Sequence, residues 1–271
     1  MSRRHALSTP ATFLMWRFGI GAAVLLLFRP GALFRLSRAE GRHGMVLGGA
    51  LAAGFLLQTT GLQHTPAGLS GFLTGAAVVL TPVVAALVFE EHVGRTGWQA
   101  VARSTAGIAG IAESSTAPSL LGAALTLEGA ACFAVHIAGL SQRSTAGNVF
   151  GLTVLSVSVA AALCFVTAIV RGVRFPPTPA AWTSVLYLGV VATCLALAVQ
   201  AWAQSMLTAT TTAGTMTMEP VFAAVIAVAA GERALGWLGW LGGLLVVAGM
   251  AVAELGPRAC CDAATPTVGC C

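Results

Sequence analysis

The chain has 271 residues, of which 57% are hydrophobic and only 8% are charged, and its mean hydropathy is +0.87. A soluble domain carries roughly 25% charged residues, so this composition excludes an ordinary soluble fold and makes lipid the solvent for most of the surface. The net charge of +5 is spread in small groups between apolar runs, which excludes the clustered basic face of a nucleic-acid-binding protein.

Apolar runs long enough to cross a membrane recur along the chain. Such a helix needs about 20 mostly apolar residues, and the sequence predicts about nine of them. They cover approximately residues 11–29, 44–62, 68–89, 97–112, 119–140, 149–170, 183–205, 210–230 and 236–254. The predicted fold class is therefore an all-α integral membrane protein, a multi-pass helix bundle of the cell inner (plasma) membrane. The loop 29–42 is the richest in arginine, which places it and the C-terminus in the cytoplasm.

Polar residues within the first three spans are candidate substrate contacts, because polar groups at membrane depth usually face a cavity or a partner. Arg17 in span one has two interpretations. It snorkels to the membrane surface, or it lines a cavity and favours anionic or zwitterionic substrates. Gln58 in span two and Thr74 and Thr81 in span three offer neutral hydrogen bonds. Thr81 precedes Pro82, and a proline inside a helix removes a backbone donor.

Spans five and seven add further candidates. Glu128 and His136 are separated by about 80° around a helix and about 12 Å along it. They form a proton-relay pair, or His136 is a hydrogen-bonded packing residue and Glu128 caps a neighbouring polar group. In span seven, Gln200 and Gln204 are four positions apart and share one helical face.

Glu219 and Pro220 in span eight form the most informative pair. Pro220 breaks the helix one turn back, and a broken helix at the membrane midplane frees carbonyl groups for a substrate. Glu219 then binds a substrate amine or carries a coupling proton. The alternative is structural: the proline only kinks the helix for close packing, and Glu219 bonds to a neighbour.

A repeated segment relates the two halves of the chain. Residues 82–86 (PVVAA) recur as residues 220–224 (PVFAA), and in both places a polar turn and a Gly-rich span follow. The two copies lie five spans apart and therefore have opposite orientation, which is the inverted-topology signature of secondary transporters. The first repeat then covers residues 11–113 with four helices and the second covers 119–255 with five. One helix is expected to be missing before residue 11.

Several of these motifs together resemble the EamA domain of the drug/metabolite transporter (DMT) superfamily. The resemblance rests on residues 63–75 (QHTPAGLSGFLTG) with 80–82 (LTP), on 218–224 (MEPVFAA) with 231–233 (GER), on 16–18 (WRF) and on 134–137 (AVHI). It implies 5+5 inverted-topology repeats and the export of metabolites or drugs. Measured against that pattern, the first helix is expected to be missing.

The predicted function is a transporter that exports small metabolites, amino-acid-like compounds or drugs by alternating access, with proton coupling as an open possibility. The alternative is a truncated, non-transporting paralogue that acts as a membrane partner subunit. The sequence contains no phosphate loop, zinc signature or nucleophile elbow, so it predicts no enzyme, cofactor or metal site. The expected partners are a small-molecule substrate and the lipid bilayer, with a homodimer left open. Residues 256–271 are expected to be a disordered, Cys-rich cytoplasmic tail.

Overall fold

The computed structural model describes residues 10–90 and 119–206, together with single helical positions within 98–106 and 226–248. Eight α-helices occupy the two long ranges: α1 Pro10–Phe28, α2 Arg38–Gly61, α3 Ala67–Thr74, α4 Ala76–Phe89, α5 Leu120–Arg143, α6 Val149–Arg171, α7 Pro179–Gly189 and α8 Ala196–Gln204. A 3₁₀ turn, Leu33–Arg35, follows α1, and a π-helical segment, Val190–Leu195, joins α7 to α8. The described residues contain no strand.

These helices form six segments that are long and apolar enough to cross a membrane. Helices α3 and α4 together make one of them, Leu69–Phe89, and α7 through α8 make another, Pro179–Ala203. The predicted all-α, multi-pass membrane class agrees with this architecture. The six segments coincide with the first, second, third, fifth, sixth and seventh predicted spans. Most of the other three spans, the repeat relationship that depends on them and the Cys-rich tail lie outside the described residues.

Local capping explains where the observed helices depart from the predicted bounds. Helix α2 begins six residues before the predicted span, because Ser37 and Glu40 form a reciprocal capping box that satisfies the first backbone N–H groups. Helix α7 begins at Pro179 rather than at 183, since Thr178 caps it through the N–H of Ala181. Pro179 is also favourable at the first position of the helix, because the N–H group that proline lacks would have no partner within the helix there.

Helix α2 lies at the centre of the described bundle, packed against α5 on one side and α6 on the other, while α1 packs against α6 and the π segment. Glycines make these contacts close. A Cβ atom added to Gly129 of α5 would lie 2.9 Å from the carbonyl oxygen of Gly54 in α2, and one added to Gly48 would lie 2.7 Å from that of Ser156 in α6. Lipid supplies little hydrophobic drive between helices, so such small-residue contacts, with their backbone-to-backbone packing, hold the bundle together.

Gly48 and Gly49 are adjacent on α2 and provide a matched test of this packing. Gly48→Ala should lower the free energy of unfolding by about 1–3 kcal/mol, because the new methyl group would collide with the α6 backbone. Gly49→Ala should be neutral or stabilising, since nothing lies within 4 Å of its added Cβ and alanine is the better helix former by about 1 kcal/mol. Thermal denaturation of the purified protein in detergent measures both. Equal effects of the two substitutions would contradict the proposed role of the Gly48 contact.

Candidate functional site

A cavity of about 470 Å³ lies between α1, α2, α3, α4, α5, the π segment and α8. Its polar lining comes from Arg17, Gln58, Thr74, His136 and Gln200. The remaining lining consists of small or apolar residues, namely Leu51, Phe55, Gly71, Gly75, Ala77, Val78, Phe133, Ile137, Ala192, Ala196 and Leu197. A largely apolar chamber with a few convergent polar groups is the usual form of a small-molecule site.

Arg17 brings a guanidinium into this chamber. It lies about 10 Å along α1 from Pro10, close to the middle of the helix. Its Nε–H donates to Thr193 Oγ1 at 2.9 Å, and its Cζ atom lies 4.5 Å from the centroid of the Phe55 ring. A cation over an aromatic face is stabilised by the ring quadrupole. Arg17 thus lies at the cavity wall, and its role in substrate binding stays a prediction.

The π segment explains how Arg17 reaches Thr193. This wider turn holds Thr193 fully buried against α1, and π turns of this kind often occur at functional sites. Two glycines allow the approach: a Cβ on Gly189 would lie 3.0 Å from the Arg17 carbonyl oxygen, and one on Gly21 would lie 3.1 Å from the Gly189 carbonyl oxygen. Side chains at either position would force α1 away from the segment and separate Arg17 from its partner.

Three aromatic rings form a row beneath the guanidinium. The rings of Phe18 and Phe55 meet edge to face at 5.1 Å between centroids, and Phe55 meets Phe133 in the same way at 4.9 Å. Edge-to-face contacts at these distances are favourable. The row links α1, α2 and α5, so the Phe55 face that Arg17 contacts is held in a set orientation.

Gln58 and Thr74 form a second polar contact on the cavity wall. Gln58 Nε2 donates to Thr74 Oγ1 at 2.8 Å, and Thr74 Oγ1 donates in turn to the Ser70 carbonyl oxygen at 2.8 Å. Thr74 is the last residue of α3, and Gly75 separates it from α4. The interruption between these helices therefore lies at the cavity, next to a side-chain amide from α2.

His136 and Gln200 lie at the boundary between the main cavity and a second pocket of only about 10 Å³. His136 is 4% exposed, and its Nδ1 lies 3.0 Å from the Leu47 carbonyl oxygen. A carbonyl only accepts, so Nδ1 carries a proton and donates it, as expected for a hydrogen-bonded packing residue. When the imidazole is neutral, Nε2 is left as an acceptor. This small pocket has room for about one water molecule.

A group of hydrogen bonds lies beyond His136, at the end of the bundle that carries the 29–37 connection. Asn148 Nδ2 donates to Glu40 Oε1 at 2.6 Å and to the Arg143 carbonyl oxygen at 3.2 Å, while Asn148 Oδ1 accepts from the Thr145 N–H at 2.7 Å. These bonds tie the start of α2, the end of α5 and the start of α6 together.

Two predicted site residues lie outside the cavity lining. Thr81 is fully buried and donates to the Ala77 carbonyl oxygen of its own helix at 2.7 Å. Glu128 is exposed on α5, whereas His136 is buried against α2. The structure therefore does not bring Glu128 and His136 together: they share a helix, but His136 lines the cavity and Glu128 is exposed. The side chain of Gln204 and the whole of Glu219 lie outside the described residues.

Sequence reasoning missed Phe55, Thr193 and Asn148. Asn148 precedes an apolar run, as helix-capping residues do, and this signal could have marked it. Nothing in the local sequence distinguishes Thr193 or Phe55 from other residues of an apolar span. Their roles arise from contacts between residues that are far apart in the chain.

Comparison with known proteins identifies the chain. The family model of the EamA-like transporter family matches residues 2–112 and 120–254. The chain belongs to this family. An uncharacterized transporter of Archaeoglobus fulgidus is 26% identical over 247 residues, which cover 91% of this chain and 77% of that protein. The EamA-like family is part of the DMT superfamily, and the protein is accordingly a multi-pass membrane transporter.

A solved crystal structure of a protein with 20% sequence identity superposes with a TM-score of 0.68, over 92% of this chain and 88% of that chain. The similarity shows that the EamA-like chain shares this helical fold.

The Arg17–Thr193 hydrogen bond predicts a difference between two substitutions. Thr193→Val keeps the shape of the side chain but removes the acceptor, and a hydrogen bond to a charged group contributes about 1.5–3 kcal/mol. Thr193→Ser keeps the hydroxyl and should retain more of that stability. Thermal denaturation in detergent should therefore rank the wild type first, serine second and valine last. Equal stability of the valine variant and the wild type would show that the bond contributes nothing to the fold.

Proposed function

We propose that the Arg17 cavity is the substrate site and that the protein exports small anionic or zwitterionic metabolites, such as amino-acid-like compounds. The observation that carries this proposal is the guanidinium held at the cavity by Thr193 and Phe55. A guanidinium has five N–H donors in a planar fork that matches a carboxylate or a phosphate. It is the only lining residue among those described that carries a permanent charge.

The remaining lining suits the other parts of such a substrate. Gln58, Thr74 and Gln200 supply neutral hydrogen-bonding groups, and Phe55 and Phe133 supply apolar surface. Gln200 contributes a side chain with both a donor and an acceptor to this wall. A volume of about 470 Å³ lies in the range of small-molecule pockets.

We propose alternating access as the mechanism, supported by two features of the cavity. At one end it adjoins a pocket of only about 10 Å³ at His136 and Gln200, and hydrogen bonds of Asn148 join the ends of α2, α5 and α6 beyond them. Two of its walls depart locally from α-helical hydrogen bonding, at Gly75 and in the π segment, and π turns often occur at functional sites. With the 29–42 loop in the cytoplasm, the end with the Asn148 bonds faces the cytoplasm.

The role of Arg17 is tested by flux in proteoliposomes. The probes are zwitterionic amino acids and the amines formed from them by decarboxylation, offered as labelled substrates in a counterflow assay. Arg17→Gln should reduce transport of the carboxylate-bearing probes at least tenfold, because a lost charge-assisted hydrogen bond costs about 1.5–3 kcal/mol. Arg17→Lys should be intermediate, as it keeps the charge but loses the fork.

Arg171→Gln is the matched control, because Arg171 is exposed at the end of α6 and lies outside the cavity lining; it should transport like the wild type. Faster transport of the decarboxylated amines than of the amino acids by the wild type would refute the anionic or zwitterionic assignment. A partner subunit without transport activity would give no counterflow with any probe.

We further propose that protons accompany transport, with His136 and Glu219 as the two titratable candidates. Both side chains can bind and release a proton. Substituting the group that carries the proton with glutamine should abolish the pH dependence of net transport between about pH 5 and 8 while sparing exchange. His136→Gln and Glu219→Gln are compared in the same proteoliposomes. Unchanged pH dependence in both variants would contradict proton coupling through either residue.

A further inference from the structure

A separate cavity of about 330 Å³ lies at the end of the bundle that carries the 29–37 connection. We call it the rim cleft. It is formed by the end of α1, the connection and the start of α6, and it is lined by residues that include Phe28, Arg29, Arg35, Asn148 and Phe150. None of its lining residues belongs to the transport cavity. The rim cleft is therefore a separate site, and its inference does not depend on the substrate proposal.

The cleft concentrates positive charge. Arg29 and Arg35 both line it and both are exposed. The Arg29 Cζ atom lies 5.4 Å from the centroid of the Phe150 ring, so α6 holds this guanidinium over the cleft. Within the described residues neither arginine pairs with a carboxylate. Glu40, on the adjoining first turn of α2, is already bonded to Ser37 and Asn148.

Backbone packing and backbone hydrogen bonds hold the walls of the cleft in place. A Cβ on Gly151 would lie 2.9 Å from the Ala32 carbonyl oxygen, so the connection packs directly on the α6 backbone. The connection is also bonded to itself, from the Ala32 N–H to the Arg29 carbonyl oxygen at 3.1 Å and from the Leu36 N–H to that of Leu33 at 3.3 Å. These contacts hold the two arginines at one site.

The position of the cleft indicates what occupies it. It begins at Phe28, where the first membrane-crossing segment ends, so it lies at the boundary between the hydrocarbon and headgroup regions. Leu27 and Phe28 beside it are 81% and 77% exposed. A ligand that satisfies both surfaces carries a negative charge for the arginines and hydrocarbon for the apolar side chains. Basic pockets between transmembrane helices bind acidic phospholipid headgroups in this way.

We infer that the rim cleft binds one anionic phospholipid, with its phosphodiester between Arg29 and Arg35 and its acyl chains along Leu27 and Phe28. Arg29 and Arg35 act here as lipid ligands rather than only as determinants of membrane orientation. The bound lipid fills the groove between the α1–α2 connection and the start of α6.

Native mass spectrometry of the full chain in detergent tests the inference, with palmitoyl-oleoyl phosphatidylglycerol and phosphatidylcholine offered at equal concentration. The wild type should retain one phosphatidylglycerol molecule in preference to phosphatidylcholine. Each arginine near a membrane surface contributes about a fivefold preference for an anionic lipid. In the double variant Arg29→Gln/Arg35→Gln, the ratio of bound phosphatidylglycerol to bound phosphatidylcholine should therefore fall roughly 25-fold. No preference in the wild type overturns the inference.

The control is Arg171→Gln/Arg174→Gln, a matched pair of exposed arginines at the opposite end of the bundle that line none of the three described cavities. It should keep the wild-type preference, and an equal loss would show that only net charge matters. Gly147→Asp places a carboxylate in the cleft without removing an arginine, as only Thr145 lies within 4 Å of the added Cβ. The Gly147→Asp variant should also lose the preference for phosphatidylglycerol. If this variant keeps the preference, the proposed site is refuted. Displacement of phosphatidylglycerol by an equal concentration of glycerol phosphate would assign the cleft to a soluble phosphate and overturn the lipid assignment.

Discussion

The structure depends on a constraint that the bilayer imposes. Lipid offers no hydrogen bonds to a polypeptide backbone, so each crossing segment must satisfy its own N–H and C=O groups as a helix. Lipid is also as apolar as leucine, so helices gain little by merely meeting, and close packing must hold them together. Helix α2 meets this requirement through glycines that face the backbones of α5 and α6.

The cavity lies beside one of these close contacts. Gly129 of α5 meets the Gly54 carbonyl oxygen of α2, and the adjacent Phe55 ring meets the rings of Phe18 and Phe133. Phe55 and Phe133 then line the cavity, together with Gly75 and with Ala192 of the π segment.

Charge is distributed in two environments with different physical consequences. A guanidinium near the middle of α1 is costly unless other groups replace its water, and Thr193 and Phe55 provide part of that replacement. Arg29 and Arg35 lie at the rim, where water and headgroups reach them and the cost is small. In our proposals the interior charge recognises the exported substrate and the rim charges recognise the surrounding lipid. A change of substrate specificity could then occur without a change of lipid contact.

Composition and the length of the hydrophobic runs by themselves determined the membrane class, the helical fold and the approximate bounds of six described spans. The reason is that a run of about 20 apolar residues can satisfy its backbone hydrogen bonds in lipid only as a helix. The motif order also predicted the family. Polarity within apolar spans drew attention to Arg17, Gln58, Thr74, His136 and Gln200, which line one cavity. Tertiary structure alone decided that Glu128 and Thr81 lie outside it and that Thr193, Phe55 and Asn148 contact these elements. Helical periodicity determines the relative directions of side chains on one helix. Which direction is buried depends on how that helix packs against neighbours that are far away in the sequence.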